Sequence, residues 1–156
     1  MLVFMAAEAC GCDREKALPA ACAVEMVHAY SLIHDDLPAM DDDDMRRGKP
    51  SCHVVYGEAM AILAGDALQA RAFESIADAP DLTAEQRIRM VKVLAHAAGA
   101  EGMVGGQAID IESEGKDLSL EELRELHSLK TGALIRASLA LGGIAANASE
   151  EQLEAL

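Results

Sequence analysis

Apolar positions along this chain recur at helical spacing, with no alternation of the kind a strand would give. From about Glu15 to Leu37 they fall at Leu18, Cys22, Val24, Met26, Val27, Leu32 and Ile33, the stripe of one long helix. Before it, residues 2–10 read as the end of an apolar helix and Gly11-Cys12-Asp13 as a turn. Pro38 disfavours helix at Leu37 and removes a backbone donor, so the chain is expected to bulge or kink there. Gly48-Lys49-Pro50 reads as a turn. Small and large apolar residues then alternate from Glu58 to Ala77, and the stretch Ala61–Ala72 implies tight contact with another helix. Thr83 with Gln86 forms a capping box that opens a helix carrying Val91, Leu94, Ala95 and Ala98 inward. Gly99, Gly102, Gly105 and Gly106 weaken that helix and permit a close backbone approach, to a neighbouring helix or to a ligand. Ser119 with Glu122, and Ser149 with Gln152, open two more helices in the same way. Nothing reads as a strand pair, a linker or a repeat, and the expected class is all-α.

Composition agrees. The 156 residues amount to about one domain, and 51% of them are hydrophobic, with two Phe, two Tyr and no Trp. Much of that apolar content is Ala, Leu and Met, and β-branched runs are few, which favours helices. A formal net charge of −14 argues against nucleic acid, whose phosphates require a basic face. No uncharged apolar run is long enough to cross a membrane, and MLVFMAAEAC is a poor signal peptide. Cys10 and Cys12 are too close for a typical zinc pair, and Cys22 and Cys52 supply no second one. The four are read as reduced thiols, mostly buried, in a cytoplasmic protein.

The charge is concentrated. HAYSLIHDDLPAMDDDDMRRGKPSCH, from His28 to His53, holds six aspartates between Asp35 and Asp44, followed at once by Arg46, Arg47 and Lys49. Such a run repels itself and needs cations. The neighbouring basic residues are one source, and a solvated loop or local salt-bridge cluster is a sufficient reading of the run alone. Mg²⁺ is the other source, since it takes oxygen ligands and is often held by one or two carboxylates plus substrate phosphates. Asp35 and Asp41 are six apart and would not share a face of a straight helix, but a bulge at Pro38 could join them. Asp42, seven from Asp35, is the geometric rival.

The run HDDLPAMDDDDMRRGKPSCHVVYGEAMAILAGDAL resembles the first aspartate-rich motif of the trans-isoprenyl diphosphate synthases, or polyprenyl synthetases. The four residues between Asp36 and Asp41 resemble the form found in bacterial farnesyl and plant geranylgeranyl diphosphate synthases. GMVGGQAIDIESEGK and LHSLKTGALIRASL also resemble that family, in the expected order. The resemblance implies an antiparallel helical bundle around a deep apolar cavity, with the acidic segments at its mouth. It implies head-to-tail condensation of isopentenyl diphosphate with an allylic diphosphate, assisted by two or three Mg²⁺ ions, and a homodimer.

Carried over residue by residue, the resemblance assigns metal ligation to Asp35 and Asp41 with Asp36 in support, leaving Asp42, Asp43 and Asp44 as outer or solvated charge. Arg46 matches a contact to the allylic diphosphate and Arg47 one to the diphosphate of isopentenyl diphosphate. Lys130 and Thr131 match a pair that clamps the allylic diphosphate. Gln107 and Asp110 match a polar pair across the cavity. His28, two turns before Asp35, matches a polar contact to isopentenyl diphosphate. Tyr30 and Ser31 fall where side-chain bulk sets the cavity floor and so the product length, although a Tyr also fills an ordinary core.

Two family features have no counterpart in residues 1–156: an N-terminal Gly-Lys-Arg segment and a second aspartate-rich motif. The sequence therefore reads as a partial polyprenyl synthetase domain that condenses almost nothing on its own. A farnesyl-type synthase is the leading reading. A geranylgeranyl synthase and a non-catalytic partner subunit are the alternatives, and a plain acidic cation-binding module is a fourth.

Overall fold

The computed structural model describes residues 1–156 and is all-α apart from one two-residue ladder. α1 (Leu2–Ala9) leads through a turn at Gly11 into the long α2 (Arg14–Asp35). A short hairpin follows, β1 (Met45–Arg46) with β2 (Lys49–Pro50), then α3 (Cys52–Tyr56) and α4 (Glu58–Ala77). α5 (Ala84–Ala98) and α6 (Met103–Glu112) are separated by the glycine-rich turn. α7 (Leu120–His127) runs through a π-helical turn, Ser128–Gly132, into α8 (Ala133–Ala145), and α9 (Glu150–Ala155) ends the chain.

α2 is the central element. It lies along α4 and also touches α1, α5 and α8, while α8 packs on α1 and α5. The α2–α4 contact is close because both helices bury small residues, Ala17, Ala20 and Ala23 on one and Ala61, Gly65 and Ala72 on the other. Val3, Val27, Ile76, Met90, Leu94 and Leu141 are the largest fully buried side chains. Burying each contributes roughly 1.5–3 kcal/mol.

All three expected capping boxes form, at Thr83/Gln86, Ser119/Glu122 and Ser149/Gln152. α4 spans the expected residues, and α2 stops at Asp35, two residues short of the expected end.

Four expectations are corrected. A strand pair does exist: Met45 faces Pro50 and Arg46 faces Lys49 in an antiparallel ladder, so the turn is centred on Arg47-Gly48 and Lys49-Pro50 is extended. Both turn residues take positive φ, 51° and 76°, as a two-residue type I′ hairpin requires. Two residues a side are too few for alternation to show, and Arg-Gly lacks the usual Asn-Gly mark. On α5, Ala95 is exposed and Ala97 takes the inward place beside Leu94 and Ala98. On α2, Leu18 and Cys22 face outward, where a row of alanines fills the contact instead. None of the cysteines is buried; all four are free thiols, Cys22 exposed and the others half-buried.

Candidate functional site

The site is built at the C-terminal end of α2. Asp36 keeps helical backbone angles just past the helix, and Pro38 then stops the regular ladder. The chain folds back instead: the Leu37 carbonyl accepts from the N–H of Met40 (2.8 Å) and of Asp42 (3.1 Å), and the Asp35 carbonyl accepts from Asp41 N–H at 2.9 Å. The expected bulge therefore exists, and it sets Asp41 beside Asp35. Asp42, the straight-helix rival, sits at φ 53° in the bulge; Asp41, Asp42, Asp43 and Asp44 are all exposed.

The two adjacent aspartates diverge. Asp36 is 2% exposed and its carboxylate is taken by Arg46, which donates from Nε at 2.7 and 2.9 Å and approaches with Nη2 at 2.5 Å. This bond raises the guanidinium pKa above its ordinary value. Asp35 turns the other way, toward a cavity of about 620 Å³ whose lining includes Asp35, His28, Tyr30, Ser31, Gln107, Lys130 and Thr131. Burial raises the Asp35 carboxyl pKa; Lys130 opposes that shift and Asp41 adds to it.

Across the cavity stand α6 and the π-turn. Gln107 donates from its side-chain amide to Asp35 Oδ1. Lys130 Nζ donates to Asp110 Oδ2 at 2.5 Å and lies 4.0 Å from Asp35 Oδ2. Burial works against the Lys130 ammonium, but Asp110, Asp35 and Asp41 outweigh it and its pKa is raised. The π-turn reaches this position because Gly106 has no side chain: a Cβ there would stand within 2.8 Å of the Lys130 backbone N, Cα and Cβ. The glycine run thus serves a close helix approach, and the irregular turn it admits belongs to a class frequent at functional sites.

The rest of the cavity is apolar, with Val24, Leu32, Met40, Met103, Leu134 and Ile135 among its walls. Tyr30 is 5% exposed and lines it; its buried hydroxyl faces Gln69 without closing a hydrogen bond, and burial raises its pKa. Ser31 donates to the His28 carbonyl at 2.9 Å. Arg46, Arg47 and Asp41 are not among the lining residues; Arg47 is exposed at the hairpin tip.

No three His, Cys, Asp or Glu side chains converge on one point. The carboxylates of Asp35 and Asp41 still suit Mg²⁺, which commonly takes one or two carboxylates and completes its shell with water and phosphate oxygens. Asp36, sealed against Arg46, is not aimed with them. The Asp36–Arg46 and Lys130–Asp110 pairings and the π-turn were not read from the sequence. An aspartate ten residues before an arginine offered the only hint of the first.

The whole chain, residues 1–156, matches the family model described as polyprenyl synthetase. This chain belongs to the polyprenyl synthetase family. It is 49% identical over 158 residues to the farnesyl diphosphate synthase of Bacillus subtilis, covering 100% of this chain and 53% of that protein. It is 51% identical over 158 residues to a chloroplastic geranylgeranyl pyrophosphate synthase of Catharanthus roseus, covering 100% of this chain and 44% of that one. The crystal structure of a geranyltransferase from Legionella pneumophila superposes with a TM-score of 0.92 at 46% identity, over 99% of this chain and 55% of that one. As a polyprenyl synthetase, the chain spans about half the length of the curated relatives it matches.

Proposed function

We propose that this chain carries the allylic-substrate half of a prenyltransferase that condenses isopentenyl diphosphate with dimethylallyl or geranyl diphosphate to give farnesyl diphosphate. The observation that carries the reading is the opposition of Asp35, backed by Asp41, to Lys130 across the mouth of an apolar cavity. Anion-binding cations at a mouth and a greasy interior behind it match a substrate with a diphosphate head and a prenyl tail.

Asp35 and Asp41 are the residues that would hold Mg²⁺; when bound, the metal neutralises charge growing on the departing diphosphate. Lys130, kept protonated by its carboxylate neighbours, offers a fixed positive charge on the other side of the same leaving group. Thr131 adds a hydroxyl at the mouth. Arg46 is held in place by Asp36 and presents its remaining N–H groups to a phosphate oxygen, while Arg47 and His28 serve isopentenyl diphosphate. Breaking the allylic C–O bond sends its electron pair out with diphosphate. The isopentenyl alkene donates its π pair to the cation, and a neighbouring C–H loses its proton to the released diphosphate. The apolar walls exclude the water that would quench that cation.

Tyr30 in the cavity wall supports a farnesyl over a geranylgeranyl product, because its bulk would limit the room for a longer prenyl chain. The similarity to the Catharanthus roseus enzyme keeps the longer product as the second reading. Family membership supports a homodimer and a cytoplasmic site of action; no helix is long and apolar enough to cross a membrane. The intact acidic corner argues against a non-catalytic partner subunit. The test is to express the protein from its complete reading frame and incubate it with labelled isopentenyl diphosphate and geranyl diphosphate. Farnesyl diphosphate formed only with Mg²⁺ is the expected result, and absence of any prenyl product overturns the proposal.

A further inference from the structure

His34 is the last residue of α2 before Asp35, and its ring packs onto α4 at the edge of the same cavity. Its imidazole Nε2 lies 3.0 Å from the Ile62 carbonyl. A carbonyl only accepts, so Nε2 carries the proton and donates. The ring occupies the place of a missing side chain: a Cβ on Gly65 would stand within 2.8 Å of the ring atoms Nε2, Cδ2 and Cε1. One turn back, the Tyr30 ring meets the imidazole edge-on, with centroids 5.8 Å apart at 73°. His34 is therefore fixed on three sides, by the Gly65 notch, the Ile62 carbonyl and Tyr30.

The consequence falls on the next residue. α2 ends at Asp35, and the chain beyond is a bulge. Successive residues on a helix are turned by about 100°, so the pin at His34 sets the azimuth at which Asp35 leaves the helix toward Gln107 and Lys130. We propose that His34, seated in the notch at Gly65, is the positioning residue for the Asp35 carboxylate. It links that carboxylate to Tyr30 in the cavity wall. The inference rests on the reading of Asp35 as a magnesium–diphosphate residue given above.

The geometry dictates the experiment. The atoms that a side chain at position 65 would meet are the far end of a side chain, so Gly65→Ala should evict the imidazole and leave the α2–α4 backbones where they are. The probe is magnesium with inorganic pyrophosphate, titrated calorimetrically into the full-length protein, with the thermal midpoint recorded in parallel. Gly65→Ala and His34→Ala should each weaken binding about ten- to a hundredfold, the range for groups that orient a metal ligand. The double variant should be no worse than His34→Ala, because both changes break the same contact. His34→Gln, which keeps an N–H for the Ile62 carbonyl, should recover most of the affinity, a recovery that a simple packing role would not give. Wild-type affinity in a folded His34→Ala, or losses that multiply in the double variant, overturns the positioning role. A wild type that does not bind magnesium pyrophosphate overturns the functional reading and this inference with it.

Discussion

Gln86 and Gln107 each link one helix to another, and they do opposite work. Gln86, 8% exposed, accepts from Thr83 N–H at 3.0 Å and donates to the Ile144 carbonyl at 2.8 Å. It closes a capping box and ties α5 to the end of α8, with its amide oxygen and nitrogen both paired within the chain. Gln107 donates to Asp35, whose carboxyl is pushed up by burial and by Asp41, beside a lysine shared between two carboxylates. The first region is satisfied within the chain. The second holds more like charge than its own cations neutralise, as the proposed magnesium–diphosphate site requires. One glutamine completes the fold; the other holds a carboxylate proposed to take a ligand.

The largest effect that can break this comparison lies at the acidic corner. Asp35→Asn or Asp41→Asn in the full-length protein should lower condensation by roughly a thousandfold, about 4 kcal/mol of barrier. Asp42→Asn should leave it nearly unchanged, since Asp42, unlike Asp41, does not act on the Asp35 carboxyl, and asparagine accepts its positive φ readily. Steady-state turnover measures all three. Equal losses at Asp35 and Asp42 would mean that the bulge does not select its carboxylates.

The next effect separates the two adjacent aspartates. Arg46→Gln leaves the Asp36 carboxylate buried without its cation, and should cost about 2–3 kcal/mol of stability, less than for a fully enclosed pair because Arg46 is partly exposed. Adding Asp36→Asn should restore part of that loss in chemical denaturation without restoring diphosphate affinity. If Asp36→Asn alone abolishes magnesium-dependent pyrophosphate binding while Arg46→Gln does not, Asp36 is a ligand and its pairing in the structure misleads.

A crossed pair of glutamine variants sharpens the comparison directly. Gln86→Leu strands the Thr83 N–H, removes one of the two donors to the Ile144 carbonyl, and should cost about 1–3 kcal/mol of stability. Pyrophosphate affinity should stay put. Gln107→Leu should do the reverse, with little loss of stability and about a tenfold loss of magnesium–pyrophosphate affinity. Parallel behaviour of the two variants would erase the distinction.

How much of this was legible depends on the range of the interaction. The capping boxes, α4 and the Pro38 bulge are local, set within a few residues, and the sequence pattern contains them. Asp35 and Asp41 could be paired because proline's missing N–H predicts where a helix must fold back. Asp36 could not be told from Asp35 by pattern alone. The difference lies in a hairpin whose two-residue strands leave no periodicity, and whose turn places Arg46 against only one of the two. The alanine-rich face of α2 misled in a similar way, since Leu18 and Cys22 look more apolar than the alanines that the close approach of α4 selects. Gly65 and Gly106 were visible as small residues, but their partners, His34 and the Lys130 backbone, are tertiary facts.

The smallest effect tests the satisfied side by charge alone. Glu122 accepts from the Ser119 N–H at 2.8 Å and from its hydroxyl at 2.7 Å, and these bonds hold its carboxyl below the ordinary glutamate range. A carboxyl lowered in the folded state adds stability that is fully present above its unfolded pKa and lost as pH falls through the folded one. Glu122→Gln keeps the box, because the other two boxes already use glutamine at that position, and it removes the titration. Thermal midpoints followed against pH should therefore run parallel near neutrality and converge in acid, wild type declining slightly more steeply below the ordinary glutamate value. Curves that stay parallel throughout would show that the Ser119 bonds are as favourable to the protonated acid as to the carboxylate. In that case the box, unlike the corner at Asp35, owes nothing to charge.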